Sequence, residues 1–218
     1  MKIELHTHSK EISTCGHLSI DELLSLYKKA EYDVVVITNH FSTAIANYWQ
    51  ARGIKDFHRA YFDCLEYAEN AGRKSGICVL PGCELRFDSS DNDYLVYGMN
   101  AEMCRDWRDI CAMTEKEFKN FADEHDILFY QAHPFRNGMK VVNPQYLHGI
   151  ETQNTHPRHD SRNDIAALWA KKFNLPGIAG SDCHQKQDAG TSAILTEYKI
   201  EKIEDLLYIL KNNLYKIL

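Results

Sequence analysis

No stretch of the chain approaches the roughly 20 apolar residues that a membrane-spanning helix needs. The opening residues, MKIELHTHSK, turn polar by the fourth position, so neither a secretory leader nor a membrane association is expected. Cysteine is present seven times, an odd number, and without a single CxxC pair; this argues against a disulfide framework and against a zinc ribbon. A reducing cytoplasm is the expected location, with most thiols acting as small buried hydrophobes. Cys15 and Cys183 differ because they sit among histidines. Positive charge is also in deficit: 25 Lys and Arg against 31 Asp and Glu leave a net charge of −6. A general nucleic-acid coat protein would be basic, so nucleic acid is not expected as a partner except as a short nucleotide substrate. A local basic pocket stays open. Internal repeats, low-complexity tracts, long linkers and charge blocks are all missing.

What is there suits a folded enzyme-sized unit. A chain of 218 residues is read as one domain, 1–218, able to bury about 70% of its unfolded surface. Hydrophobic residues make up 44% and charged residues 26%, ordinary for a globular chain. Short apolar runs alternate with helical patterns. Strands are expected at 2–6, 33–38, 77–81, 94–98, 127–132, 149–152, 177–180 and 192–195. Ser19 and Glu22 form a capping box before Leu23, Leu24 and Tyr27. Phe57, Tyr61, Leu65 and Ala68 stripe a helix over 55–74. Thr114 and Glu117 cap a third helix running to about His125, and further helices are expected at 161–173 and 201–214. The stretches 41–54 and 135–147 read as long loops of the kind that build active sites. This alternation predicts an α/β fold with a mostly parallel sheet, and roughly seven β–α units favour a barrel.

The eleven histidines carry the chemical signal. His6 and His8 end the first strand two residues apart, so they share a face; Glu4 is expected inward with them, and Ile3 and Leu5 outward against helices. His40 ends the second strand, Glu84 follows the third, His133 ends the strand at 127–132, and Asp182 and His184 follow the strand at 177–180. In an α/β barrel these strand ends converge on one mouth, and closure sets the first strand beside the last. Imidazoles with carboxylates suit zinc, manganese or iron, and Glu84 could bridge two ions. Each residue alone is unremarkable; five strand ends carrying His, Asp or Glu together point to a metal centre. His58, His125 and His148 read as structural.

These motifs, HTHS at 6–9, ITNH at 37–40, PGCE at 81–84, AHP at 132–134 and GSDCH at 180–184, resemble in order those of the PHP (polymerase and histidinol phosphatase) superfamily of phosphoesterases. The resemblance implies a distorted (β/α)7 TIM-like barrel with two or three divalent metals at its mouth. It implies that His6, His8, Glu84 and Asp182 hold one metal, that Glu84 and His133 share a second, and that His40 and His184 hold a third with a residue of the first loop. In STCGH that residue is His17 or Cys15, with His17 favoured. Asn39 stands where the family usually has Asp. The strand after PGCE usually carries a further histidine ligand, yet no histidine occurs between His58 and His125; Tyr94 stands near that position.

The function implied is hydrolysis of a phosphate ester: a small phosphomonoester such as histidinol phosphate, or a nucleotide phosphodiester. Divalent metals neutralise phosphoryl oxygens and lower the pKa of bound water toward about 7, which supplies hydroxide for attack at phosphorus. Glu84 and Asp182 are the catalytic carboxylates beside that water. Arg136, Arg158 and Arg162 are candidates to bind phosphate bidentately, with Asn154 and His159 lining the same pocket. The alternatives are an amidohydrolase-type C–N hydrolase, whose bridge is commonly a carboxylated lysine, and a non-catalytic metal-binding domain. Tyr48 and Trp49 are read as packing anchors before substrate covers.

Overall fold

Capping residues and β-branched runs set the element order. A computed structural model describes residues 1–218. It opens with β1 (Lys2–Glu4), α1 (Ile20–Lys29), β2 (Val34–Ile37), β3 (His40–Phe41), α2 (Thr43–Gln50) and α3 (Phe57–Ser75). Then follow β4 (Cys78–Leu85), β5 (Tyr94–Tyr97), α4 (Trp107–Ala112), α5 (Glu115–Glu124) and β6 (Leu128–Gln131). The chain ends with β7 (Gly149–Asn154), α6 (Asn163–Phe173), β8 (Gly177–Gly180), β9 (Ile194–Leu195), α7 (Ile203–Lys211) and β10 (Lys216–Ile217). Both expected capping boxes form, Ser19 with Glu22 and Thr114 with Glu117. Each satisfies N–H groups that a helix start would otherwise leave unpaired. No helix is long and apolar enough to cross a membrane.

The strands form one sheet in the order β10-β9-β1-β2-β4-β5-β6-β7-β8, with β3 beside β4. Pairing is parallel from β1 through β2 to β4 and from β6 through β7 to β8; β5 runs antiparallel to both its neighbours. A parallel bridge between Thr7 and Cys183 closes the sheet into a barrel. It is made by His8 N–H donating to the Cys183 carbonyl at 3.0 Å and Cys183 N–H donating to the His6 carbonyl at 3.2 Å. The seam of the barrel therefore runs between the HTH and DCH motifs and sets them side by side, as closure required.

Two apolar layers flank the sheet. Ile3, Leu5, Val34, Val36, Leu80 and Leu95 pack in one buried cluster with Leu206, Leu207 and Leu210 of α7. Val35, Ile37, Val79 and Val96 pack in the other with Leu23 and Tyr27 of α1 and Tyr61 and Leu65 of α3. At about 1.5–3 kcal/mol per fully buried large side chain, these layers hold the strand ends rigid enough to carry a site. Glu4 departs from the expected inward placing. Its carboxylate accepts from Tyr27 Oη of α1 and from the N–H groups of Leu5, His6 and Ser181. Ladder pairing of β1 ends at Glu4, and capping of the next two amides by its side chain breaks the simple alternation. Glu4 thus faces the helix, and His6 still turns to the mouth.

Other boundaries also move. β4 runs through Pro81-Gly82 to Leu85, so Glu84 lies within a strand, opposite His40 on one side and Leu95 on the other. The stretch 41–54 is not a loop: Ser42 caps α2, and Trp49 Nε1 donates to the Ile12 carbonyl at 2.7 Å, anchoring the first loop. The helix expected from Ser161 starts at Asn163, because Arg162 takes a left-handed conformation with φ 47°.

Candidate metal centre

The two histidines of the first motif are fixed through their Nδ1 atoms. His6 Nδ1 lies 2.9 Å from Glu151 Oε1. Glu151 is an obligate acceptor when ionised, so a proton stays on His6 Nδ1 and Nε2 is the nitrogen left to give its lone pair to a cation. His8 Nδ1 lies 3.1 Å from Ser13 Oγ. The Ser13 hydroxyl donates to Asn39 Oδ1 at 2.9 Å, so it accepts from His8 Nδ1 and turns that Nε2 toward the same point. Asn39, in place of the usual Asp, completes this support by accepting from Ser9 N–H at 2.7 Å.

The two Nε2 atoms stand 3.1 Å apart, with Glu84 and Asp182 oxygens 3.2–3.4 Å from them. All four side chains are buried. Burial opposes ionisation of Glu84 and Asp182. For Glu84 the charges of His40 and His6, and for Asp182 the charge of His6 and a hydrogen bond from His8, outweigh it and hold both carboxyls well below the usual range. Burial also opposes a charged His6, but Asp182, Glu151 and Glu84 pull its pKa well above the usual value. Without an ion, protons on the two rings offset the paired carboxylates; a divalent cation that takes the place of the Nε2 protons would meet two nitrogen lone pairs and two anionic groups at one point. His133 adds to it: Nε2 is 3.1 Å from Glu84 Oε1, and its buried Nδ1 has no hydrogen-bond partner. This donor set fits divalent metal. His133 and Asp182 have φ values of 27° and 52°, backbone strain of the order of 1–3 kcal/mol each that concentrates at working sites.

The remaining strand-end residues form a second group. His40 Nδ1 is 2.9 Å from Glu84 Oε2. His184 Nδ1 donates to the Asp182 carbonyl at 2.7 Å, which again leaves Nε2 free. One nitrogen each of His8, His40 and His184 and the Cys15 thiol lie within 4.8 Å of one another. The favoured loop residue, His17, is not in this group; it is exposed at the rim. The cause is a tight turn. A Cβ at Gly16 would stand 2.8 Å from the Ser9 carbonyl carbon, so only glycine allows the loop to fold back and set Cys15 over the mouth. The following bond, His17 N–H to the His184 carbonyl at 2.9 Å, keeps the imidazole at the exposed edge of the cavity and out of the ligand group. Burial raises the Cys15 pKa, but hydrogen bonds with His184 and His40 and the charges of His8 and His40 bring it down to about 5.

A cavity of about 500 Å³ opens above these residues, within the range of small-ligand sites. Arg136 lines it, bonded to Asp182 Oδ2 at 2.7 Å and Asn154 Oδ1 at 3.0 Å, with its buried Nε unpartnered. Arg158 lines it too, held by Asp188 at 2.6 and 2.9 Å. Arg162 does not reach the cavity; it donates to the Phe135 carbonyl at 2.6 Å and braces the turn that carries Arg136. Asn154 is buried behind Arg136 and bonded to Glu151, a positioning place and not a wall of the cavity. His159 lines the cavity with His156.

Besides His156, three more residues carry no signal in the sequence. Arg86 lines the cavity and is paired twice with Asp93 at 2.7 Å. Asp93, not Tyr94, faces the mouth, grouped with His40 and Glu84; Tyr94 Oη instead bonds Glu115 at 2.7 Å on the helix side. Glu151 accepts from His6, His133 N–H and Asn154. His58, His125 and His148 lie away from the cavity. Close packing under the centre gives a direct test. A Cβ at Gly180 would meet His6 Cβ at 2.3 Å and Glu151 Oε1 at 2.9 Å. Gly180→Ala is expected to cost about 1–3 kcal/mol of stability and to weaken metal binding about tenfold by displacing His6. Denaturant unfolding and a metal titration measure the two effects.

A nearly closed α/β barrel whose mouth gathers imidazoles, carboxylates and arginines defines the class. Residues 160–213 match the family described as PHP-associated. No curated protein matches the chain. A two-domain protein from Bacteroides vulgatus ATCC 8482, described as containing a predicted PHP-like metal-dependent phosphoesterase, shares the fold at 18% identity and a TM-score of 0.70. That match covers 100% of this chain and 64% of the other. The lesion-specific endonuclease PfuEndoQ from Pyrococcus furiosus matches at 14% identity and a TM-score of 0.64, over 99% of this chain and 57% of that one. An amidohydrolase from Chromobacterium violaceum, with bound sulfate and no metal, matches at 16% and 0.59, over 100% and 98%. At these identities the likeness concerns the fold, which hosts different chemistries.

Proposed function

We propose that the chain is a metal-dependent phosphoesterase acting on a small phosphomonoester or a short nucleotide phosphodiester. The observation that carries this reading is that Arg86, Arg136 and Arg158 line the same cavity as the metal-type ligands His40, Glu84, His133, Asp182 and His184. Arginine suits phosphate because its planar fork meets two oxygens at once. A C–N hydrolase of the amidohydrolase kind commonly bridges its metals with a modified lysine; here the central position is Glu84, and no lysine lines the cavity.

Two or three divalent ions held by His6, His8, Glu84, His133, Asp182, His40 and His184 would supply charge neutralisation and a more acidic water. The chain supplies the rest. Asp182 and Asn154 hold the Arg136 guanidinium at the cavity wall, and Asp188 does the same for Arg158, so neither must be ordered when substrate arrives. These two cations, with Arg86 lining the same cavity, draw a phosphate group toward the carboxylates that would otherwise repel it. His156 is kept neutral at ordinary pH, because burial, the charge of His184 and that of Arg158 lower its pKa to about 4. Its ring nitrogens face Arg158, with Nδ1 3.3 Å from the backbone nitrogen and Nε2 3.1 Å from Nη2, so the neutral ring helps to hold that guanidinium in place.

The test is turnover of a panel of phosphomonoesters and short nucleotides. Inorganic phosphate and nucleotide products are both read, on apo protein reloaded with manganese, zinc or iron. Metal-dependent turnover is expected, falling at least about 10²-fold in Asp182→Ala. Absence of turnover with every metal, after binding has been confirmed, overturns the reading. It then moves the weight to C–N hydrolysis or to a metal-binding role without catalysis.

A further inference from the structure

The mouth is not chemically uniform. The donors around His6, Glu84, His133 and Asp182 are nitrogen and oxygen only. The group His8, Cys15, His40 and His184 is the one place where sulfur enters. We propose that Cys15, with His40 and His184, makes a thiolate-containing metal position that prefers a soft ion such as zinc, beside a carboxylate-rich position that does not discriminate in this way. The proposal deepens the metal-centre part of the reading above and is independent of the substrate class.

Three observations support it. First, the ligand atoms lie within 4.8 Å of one another, and a tetrahedral zinc ion with ordinary Zn–S and Zn–N bonds sets its ligands roughly 3.5 Å apart, within reach of small side-chain shifts. Second, the tautomer of His184 is set from behind: its Nδ1–H is spent on the Asp182 carbonyl, so the free nitrogen is the one available to an ion. Third, the loop is built to bring sulfur in, since the close approach at Gly16 and the His17 N–H bond to the His184 carbonyl set Cys15 among the donors and leave His17 at the exposed edge of the cavity.

His8 is contested, because its one free nitrogen also lies 3.1 Å from His6 Nε2 and 3.3 Å from Asp182 Oδ1. When His8 serves the carboxylate-rich position, the sulfur position keeps three protein ligands and one open place, the pattern of a working zinc site rather than a structural one. Binding converts the Cys15 thiol to thiolate and releases its proton to solvent. Soft thiolate then favours zinc over manganese.

The experiment reads the sulfur directly. Apo protein loaded with Co(II) is expected to show thiolate-to-cobalt charge-transfer absorption in the near ultraviolet. Cys15→Ser should abolish that band and lower zinc affinity at least about 100-fold, with manganese affinity changed far less; His17→Ala should keep the band. In the unmodified chain, zinc should slow alkylation of Cys15, read by peptide mass mapping, and manganese should not. This second measurement needs no variant and stands even if Cys15→Ser folds poorly. Cobalt bound without a thiolate band, or a band lost in His17→Ala and kept in Cys15→Ser, overturns the proposal. Failure of the apo protein to bind any metal overturns the metal centre itself, a different result from metal bound without sulfur.

Discussion

Glu84→Gln is expected to lower metal-dependent turnover by about 10³-fold and to reduce the metal content of the purified protein. Glu84 is the junction of the site. Its Oε1 lies 3.1 Å from His133 and 3.3 Å from His6, and its Oε2 lies 2.9 Å from His40 and 3.2 Å from His8. Both oxygens are therefore in use, toward two different groups of ligands, and the carboxyl is ionised despite its burial. Glutamine keeps the volume and one acceptor. It loses the charge and replaces the second acceptor with a donor, which no cation accepts. Losing an ion's clamp on the phosphoryl group costs several kcal/mol of barrier, and about 4 kcal/mol corresponds to the factor given. A second readout is thermal. An ion at a thousand times its Kd adds about 4 kcal/mol of stability, roughly 8–16 °C of melting temperature for a chain this size; in Glu84→Gln most of that increment should vanish. Unchanged metal content and turnover in the variant would remove Glu84 from the site.

The parts of this architecture that the sequence made legible are those written in local pattern. The buried run Val34–Ile37, the two capping boxes and the strand-end positions of His6, His8, His40, His133 and His184 follow from residue type and spacing alone. The parts that stayed hidden depend on contacts between distant segments. Glu151 is one glutamate in a short strand until β7 and the start of the chain are brought together around His6. Arg86 and Asp93 are ordinary charges until β4 and β5 pair antiparallel and set them face to face. Arg136 and Arg162 look alike in sequence, yet one lines the cavity and the other braces a turn. Cys15 and His17 were separated by the backbone approach at Gly16, a three-dimensional restriction with no signature in the spacing. Glu4 was assigned to the wrong face because alternation holds only while a strand is paired, and β1 stops at that residue.

Glu151→Ala should weaken metal binding about 10–100-fold without touching a metal ligand. The Glu151 carboxylate is buried and accepts from three donors: His6 Nδ1–H at 2.9 Å, His133 N–H at 2.8 Å and Asn154 Nδ2–H at 2.9 Å. Alanine leaves all three without an acceptor. A buried donor left unpaired costs about 1–3 kcal/mol. The three share one partner, so their costs do not add in full, and a total of about 3–5 kcal/mol is expected in denaturant unfolding. The metal effect has a separate origin. Without Glu151, nothing selects the His6 tautomer that bares Nε2, and the ring is free to turn. Glu151→Gln separates the two consequences. Its single oxygen can serve His6 or the His133–Asn154 side, but its amide must then face a donor, so it should fall between alanine and the parent in both measurements. Glu151 acts as a positioning residue, so excess metal should restore kcat in Glu151→Gln, whereas no metal concentration should restore it in Glu84→Gln. A Glu151→Ala protein that binds metal as tightly as the parent would show that His6 is oriented by its own packing, and the role assigned to Glu151 would fall.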